Sequence, residues 1–375
     1  MLASTILERS DPYKQYLALL SSSNNPEDAV PLLSATFLAN LIAYSVTSSS
    51  KPAKRDSDAL PKLYSYLSNL VKSQDSGLQD IGVQHMSTVM RSSQAKELFW
   101  KQKQETVSPL FEILRKAAGA AKDSDSTLWS GASSIRSSDT RFGGNVGLQL
   151  MYHILLVIWQ LSFEGELVGD GLEEDEEVVP LYVQLLRMSP KEKTTRLLLG
   201  TLHNLISANK KTLIPVATTA RLPALIGNLA TRHLSDEDAI EDLEALDKML
   251  DEYTKGQTTF DEYADELQSG HLRWSPPHKN AQFWRENARK VMQDKELPKK
   301  LAEITQKKWE SDKKVLAIAC NDIGNLVREV PEHRTTLEKL GLKARVMELM
   351  QDPDEQVRWE SLRAVGEWMR YSFER

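Results

Sequence analysis

Histidine, cysteine and carboxylate side chains are the residues of this chain that could perform catalytic or metal chemistry. Five histidines could be metal ligands by residue type, but none has the HExxH or other paired spacing that holds a metal, and surface or capping roles explain them better. They are His203, His233, His271, His278 and His333. Aspartate and glutamate are abundant, but their pattern is that of solvated helix faces, so we assign them no acid–base role. The sequence therefore predicts no catalytic residue, no metal and no cofactor.

Cys320 is the one cysteine of the chain, so no intramolecular disulfide or multi-cysteine metal site can form. It lies on the apolar side of a predicted helix from Lys314 to Val330. No basic neighbour or helix N-terminus is apparent there to lower its pKa, so we expect a core residue and not a nucleophile. Gly143 and Gly144 precede a helix, but the preceding strand and the following lysine of a phosphate loop are missing.

Composition narrows the class of protein. The 375 residues are 41% hydrophobic and 27% charged, which is typical of a folded chain. The net charge of −6 argues against nucleic acid as the main partner, because phosphate binding requires clustered Lys and Arg. We find no secretion signal and no apolar run near the roughly 18 residues of a membrane span, and therefore predict a cytosolic or peripheral protein without direct membrane insertion.

The elements that would position any site are predicted to be helices almost throughout. Apolar residues recur at three- and four-residue steps, for example at Leu148, Met151, Leu155 and Ile158, and no segment has the alternation of a strand. Three helix starts are predicted from capping residues at Ser189, Ser235 and Asp352.

Short apolar helices headed by proline recur along the chain, at Pro61, Pro109, Pro180 and Pro223, and Ala344 takes the proline's place in a fifth. Once a polar insertion from Ala121 to Phe142, predicted to be a surface loop, is set aside, the spacing is about 40 to 50 residues, as in armadillo and HEAT repeats. We predict an all-α, armadillo/HEAT-like right-handed superhelical repeat solenoid with a smaller C-terminal helical repeat domain. The last unit, from Lys314 to Met369, has the three-helix order of an armadillo repeat, and a generic helical hairpin is the alternative.

A proline–aromatic stretch from Ser269 to Ala288 interrupts this pattern. It contains Trp274, Pro276, Pro277, Phe283 and Trp284. Consecutive prolines stop a helical register, and the aromatic side chains can pack one domain end against another. We therefore predict an N-terminal repeat domain at residues 1–253, a junction at 254–290 and a C-terminal armadillo-like domain at 291–375. The alternative is a packed linker without a regulatory role.

Three stretches together resemble the family of the H subunit of the vacuolar-type proton ATPase (V-ATPase). The segment from Phe260 to Ala288, with WSPPH at 274–278 and FW at 283–284, looks like the signature that joins the family's two domains. GGNVGLQLMYHILLVIWQLSF at 143–163 resembles its long central helix, and the stretch beginning ACNDIGNLVREV at Ala319 resembles its C-terminal repeat. The resemblance covers essentially the whole chain.

The resemblance implies a regulatory subunit without an active site of its own. Its N-terminal domain would bind the peripheral stalk formed by subunits E and G, and its C-terminal domain would contact the N-terminal part of subunit a. In the released catalytic (V1) sector it would hold the rotor against the catalytic-sector B subunit and suppress ATP hydrolysis. The implied location is the cytosolic face of vacuolar and endosomal membranes, peripheral to the bilayer.

Two departures from the family pattern stand out. Family members begin with a longer N-terminal segment, which suggests a truncated start here. The family's inhibitory loop falls at residues 306–314, which are shorter and more basic than is usual. Its candidate partner-binding residues are Lys307, Lys308, Trp309, Lys313 and Lys314. A tryptophan among four lysines could anchor an acidic partner, and a solvated turn is the alternative.

A cytosolic armadillo adaptor that carries peptide cargo is the competing function. Such adaptors repeat Trp and Asn once per unit along a concave groove. The eight tryptophans of this chain show no such register, which favours the pump subunit.

Overall fold

The computed structural model describes residues 2–23, 25–48, 54–120, 146–189, 191–232, 234–256, 259–309 and 312–373. Within these ranges the secondary structure is helical, without a strand, so the all-α prediction is confirmed. The predicted loop from Ala121 to Phe142, the Gly143–Gly144 pair and His233 lie outside the described residues.

The chain divides into two compact units. The first contains the described residues up to Leu213 and from Asn228 to Leu246, and the second contains Ile214–Gly227 and the described residues from Asp247 onwards. The helices up to the end of the first repeat region are α1 Leu2–Leu7, α2 Lys14–Leu20, α3 Ala29–Ser48, α4 Lys54–Val71, α5 Ser76–Val89, α6 Ser93–Lys101, α7 Lys103–Thr106, α8 Ser108–Ala118, α9 Leu148–Ser162, α10 Gly165–Glu176, α11 Val178–Met188 and α12 Glu192–Ala208. The remaining helices are α13 Lys210–Thr219, α14 Leu222–Ala230, α15 Glu237–Gly256, α16 Thr259–Ser269, α17 Pro276–Lys279, α18 Ala281–Gln293, α19 Leu297–Gln306, α20 Lys313–Glu329, α21 Arg334–Lys339, α22 Leu342–Leu349 and α23 Glu355–Phe373, with a 3₁₀ turn at Pro331–His333 before α21.

Helices of the first unit pack in series, as expected of a repeat protein. Helices α3, α5, α9 and α12 form one row in which each contacts the next, and α8 packs against α11 in a second row. Each repeat thereby buries the apolar face that its neighbour leaves open. The prediction of stacked helical repeats is confirmed.

Helix α3 is apolar enough to cross a membrane by length and composition, as is the bent pair α13 and α14 taken together. The prediction that no apolar run approaches this length is therefore wrong. Polar residues interrupt α3 without lowering its mean hydropathy below that of a span. Half of the qualifying window of α3 is buried in the first unit. Its Ser34 hydroxyl donates to the Tyr16 carbonyl at 2.8 Å and its Ser45 hydroxyl to Asp56 at 2.9 Å, so α3 packs against α2 and α4.

The core of the second unit is formed around α20 and α23. These helices approach closely because Gly324 of α20 has no side chain: a Cβ there would stand 3.2 Å from the Cα of Ala364. Helices α18 and α19 pack on α20, and α22 packs on α23. Residues on α16 and α18 share this core, so residues 259–290 are packed together with the helices that follow them.

Two kinds of predicted helix start differ from the structure. Pro61 lies inside α4, which begins at Lys54 and not at the proline. The caps are shifted as well: Asp354, not Asp352, accepts a backbone N–H in the first turn of α23, and Asp236, not Ser235, does so in α15. Ser189 does not cap α12, and its hydroxyl lies 2.7 Å from that of Thr194 instead.

Candidate functional site

The proline–aromatic stretch begins where α16 ends. Gly270 takes φ of +77°, a left-handed conformation that is easy for glycine, and five residues without regular structure then lead to α17. Pro276 occupies the first position of α17, where its missing N–H leaves no helical hydrogen bond unmade. Asn280 ends this short turn and caps α18 by accepting the Gln282 N–H at 2.9 Å.

The aromatic residues of this stretch differ in exposure. Trp284 and Phe283 are buried, and both rings lie within 5.4 Å, centroid to centroid, of the Tyr263 ring on α16. Trp274 is half-buried, with the Lys279 ammonium 5.7 Å from its ring centroid. Pro277 is buried and Pro276 is exposed. These contacts attach the stretch to the core of the second unit, whereas its role as a junction between domains stays a prediction.

His278, the last residue of WSPPH, lies at the centre of a buried polar cluster. Its Nδ1 is 2.7 Å from a carboxylate oxygen of Asp322 on α20, and its Nε2 is 3.3 Å from Glu266 on α16. The same glutamate accepts the Arg273 backbone N–H at 2.6 Å and the Ser275 hydroxyl at 2.7 Å. These contacts hold residues 273–278 against α16 and α20.

The electrostatics of the cluster favour a charged imidazole. Burial alone would lower the pKa of His278, but the Asp322 and Glu266 carboxylates outweigh it and raise that pKa to about 10. His278 is thus an imidazolium at neutral pH, paired with a carboxylate that is itself fully buried. A surface or capping role for this histidine is wrong, because its partners lie 12 and 44 residues away in sequence.

The basic loop before α20 is built around a buried tryptophan. Trp309 is 1% exposed, donates its indole N–H to the Ile304 carbonyl at 2.8 Å and packs edge-on against His271. The Lys307 ammonium lies 4.7 Å from the Trp309 ring centroid. Because Trp309 is buried, its indole packs within the second unit and is not accessible to a partner in this conformation.

The other lysines of the predicted 306–314 loop are not equivalent: Lys308 precedes α20, whereas Lys313 and Lys314 are the first two residues of α20. Lys313 is 3.0 Å from Asp352, and that ion pair ties the start of α20 to the turn before α23. Lys308 and Lys314 are exposed and remain accessible to an acidic partner. Residues 310 and 311 lie outside the described residues. A partner-binding role for the loop thus depends on its lysines.

Cys320 is buried on α20, as predicted. Burial raises the pKa of its thiol to about 12, with a smaller contribution from Glu360, so it is not activated as a nucleophile. Among the described residues, no group of three or more His, Cys, Asp or Glu side chains is arranged to hold a metal ion. The described residues therefore provide helical surfaces and the buried ionic cluster of His278, Asp322 and Glu266.

Comparison with known proteins decides the family. A family model for the N-terminal region of the V-ATPase H subunit matches residues 1–250, and a model for its C-terminal region matches residues 256–373. The chain belongs to the V-ATPase H subunit family. The second match includes the WSPPH segment and the His278 cluster, so this cluster lies within the family's C-terminal region.

Curated relatives agree with this assignment. A V-type proton ATPase H subunit of Drosophila melanogaster is 33% identical over 235 residues, covering 61% of this chain and 49% of its own. A probable V-type proton ATPase H subunit of Caenorhabditis elegans is 34% identical over 229 residues, covering 60% and 50%. The chain spans about half the length of the curated relatives it matches. Among solved structures, a designed armadillo repeat protein aligns over 81% of this chain and 99% of its own, with 15% identity and a TM-score of 0.34.

Proposed function

We propose that this chain is a non-catalytic regulatory subunit of the V1 sector of the V-ATPase. In the assembled pump its N-terminal repeats bind the peripheral stalk of subunits E and G, and its C-terminal domain contacts the N-terminal part of subunit a. This bridge couples ATP hydrolysis to proton transport. When V1 is released, the C-terminal domain holds the rotor against the B subunit and suppresses ATP hydrolysis. The protein acts on the cytosolic face of vacuolar and endosomal membranes, peripheral to the bilayer.

The observation that carries this proposal is the succession of two H subunit family matches along one chain. Relatives in the fruit fly and the nematode bear the name of a proton ATPase subunit. The helical repeats described above offer extended surfaces of the kind that bind other proteins. A subunit that works through such surfaces needs no catalytic group of its own.

The predicted 306–314 loop is the proposed inhibitory contact, and the exposure of its lysines decides which substitutions can test it. Lys308 and Lys314 are exposed, so replacing both with alanine removes charge without removing a core contact. Lys313 is unsuitable because it pairs with Asp352. The matched control is the pair Lys299 and Lys300 on the neighbouring helix α19, each of which lies within 3.2 Å of a glutamate.

The measurement is ATP hydrolysis by released V1 as purified chain is added. We expect the unmodified chain to suppress hydrolysis, Lys308→Ala/Lys314→Ala to suppress it several-fold more weakly, and Lys299→Ala/Lys300→Ala to match the unmodified chain. If the unmodified chain leaves hydrolysis unchanged, the suppressing role is refuted. If it suppresses and the loop variant suppresses equally well, the regulatory role stands but the loop is not its contact.

A further inference from the structure

An apolar row on the surface of the second unit is open to solvent. Trp359, Leu362 and Met369 of α23 are 67%, 55% and 53% exposed. Of the seven tryptophans in the described ranges, Trp359 alone is exposed. Large apolar side chains gathered on one surface mark a place where another molecule binds, and tryptophan is the side chain most often found at the centre of such contacts.

The spacing of the row is that of a helix-packing seam. Trp359, Leu362, Gly366 and Met369 stand at steps of three, four and three residues, which are the a and d positions of a heptad repeat. Nothing lies within 4 Å of the point where a Cβ of Gly366 would stand, so the row has a gap between Leu362 and Met369. The seam is about 15 Å long, or three helical turns, and its gap can receive a bulky side chain from a second helix.

The position of α23 explains why this seam is open. Its opposite face packs on α20, where Gly324 and Ala364 meet, and α20 in turn contacts α18, so the three helices form a row. The outermost helix of a helical-repeat row carries polar residues on its outer face when that face meets only water. The outer face of α23 instead carries three large apolar side chains beside its charged residues, and one more helix packed on this face would cover them.

Charges beside the seam indicate what kind of helix fits. Gln356, Arg363 and Arg370 follow one another at seven-residue steps, so they line one edge of the apolar row. The side chains of Arg363 and Arg370 are 45% and 65% exposed, whereas their partners Glu360 and Glu367 are 10% and 18% exposed. Arg363 also donates to Asn321 on α20, so both guanidinium groups have partners within the unit. Because the glutamates are the more buried members of the pairs, the arginines are the charged groups that meet solvent at this edge, and residues flanking a heptad seam select partners by opposite charge.

We propose that the outer face of α23 binds an amphipathic helix of a partner protein, with apolar residues at its a and d positions and acidic residues beside them. Trp359 is the anchor of this contact, Gly366 receives a bulky residue of the partner helix, and Arg363 and Arg370 select its acidic edge. The proposal is derived from the second unit alone and does not rest on the pump assignment.

Two synthetic peptides of three heptads test this contact, both with leucine at a and d. One has glutamate at e and g, and the other has lysine there. Each is labelled and titrated with the purified full chain, and binding is followed by fluorescence anisotropy. We expect the glutamate peptide to bind at least about tenfold more tightly than the lysine peptide, and its binding to weaken as salt is raised.

Variants separate the two parts of the surface. Trp359→Ser is expected to weaken binding of the glutamate peptide by about tenfold or more, and Arg363→Glu/Arg370→Glu to reverse the preference between the peptides. Phe37→Ser, which removes an exposed aromatic residue of α3, is the matched control and should change neither the affinity for the glutamate peptide nor the preference between the peptides.

Because Trp359 is exposed, the circular dichroism spectrum of Trp359→Ser should match that of the unmodified chain. Equal binding of both peptides, or unchanged binding by Trp359→Ser, overturns the proposal. So does a dimer, seen by sedimentation, that Trp359→Ser dissociates, because the face would then bind a second copy.

Discussion

At the scale of single residues, the His278 imidazolium is the feature with the clearest consequence. Its pKa of about 10 lies above the ordinary 6.5, so its stabilising contribution is complete below pH 6.5 and is lost as pH rises through about 10. We expect His278→Gln to lower the free energy of unfolding by about 3 kcal/mol at neutral pH, because Asp322 is left buried and unpaired. Chemical denaturation from pH 6 to 10 should show stability falling with pH in the unmodified chain and a flatter profile in the variant.

The control for this experiment is His333→Gln, which removes a histidine outside the cluster. It should preserve the slope of the unmodified chain. An unchanged slope in His278→Gln would contradict a charged, stabilising imidazole.

Trp309 provides a second prediction at this scale. Trp309→Ala should lower the free energy of unfolding by about 3 to 5 kcal/mol, because it empties a buried site and orphans the Ile304 carbonyl. Denaturation followed by circular dichroism measures this loss. Lys308→Ala, at an exposed position of the same loop, should stay within about 0.5 kcal/mol of the unmodified chain. Equal stability of the two variants would contradict the buried placement of the indole.

The sequence identifies which residues matter better than it identifies what they contact. The WSPPH tryptophan and prolines attract notice by composition alone, and Cys320 is correctly assigned to the core from helical periodicity. The roles of His278 and Trp309 depend on Asp322, Glu266 and His271, which tertiary packing brings to them. No spacing rule connects residues so far apart, so the sequence indicates a surface or capping histidine and an aromatic anchor where the structure has a buried ion pair and a buried indole.

At the scale of helices, the close approach of α20 and α23 holds the second unit together. A side chain at Gly324 would meet the Ala364 backbone at 3.2 Å, where little can move. We expect Gly324→Val to lower the free energy of unfolding by about 1 to 3 kcal/mol. Gly366→Ala on α23 is the matched control: its site is open, so the exchange should raise stability by about 0.5 to 1 kcal/mol. Thermal unfolding compares them, and a neutral Gly324→Val would show that the helices can separate without cost.

Hydrophobic periodicity predicts which segments form helices and in what order, but it does not predict the residue at which each helix begins. Pro61 is tolerated inside α4 because Leu60, Leu63 and Tyr64 bury that stretch, and packing outweighs the one backbone hydrogen bond that proline forgoes. The caps shift by one or two residues because several polar residues stand together at each start. Asp352 pairs with Lys313 and accepts the Asp354 N–H, which precedes α23, whereas Asp354 accepts the Val357 N–H inside the first turn. Such choices depend on neighbours that only the fold supplies.

At the scale of the whole molecule, family membership and helical architecture were both predictable. The repeats recur at a visible period, and the segment around WSPPH is specific enough to indicate the H subunit family. The division at 1–253, 254–290 and 291–375 stays a prediction. Residues 259–290 share a core with the helices after them, because Tyr263, Phe283 and Trp284 pack where an isolated junction would expose them. The loop's inhibitory role likewise stays a proposal.

Membership of the pump is tested by affinity purification of the tagged chain from its native cell, with partners identified by mass spectrometry. We expect V-ATPase subunits E, G and a to copurify with it from membranes under conditions that keep the pump assembled. After V1 is released, subunits E, G and B should remain bound while subunit a is lost. Recovery of peptide cargo or transport factors without any pump subunit would refute the proposed pump subunit and support the armadillo adaptor instead.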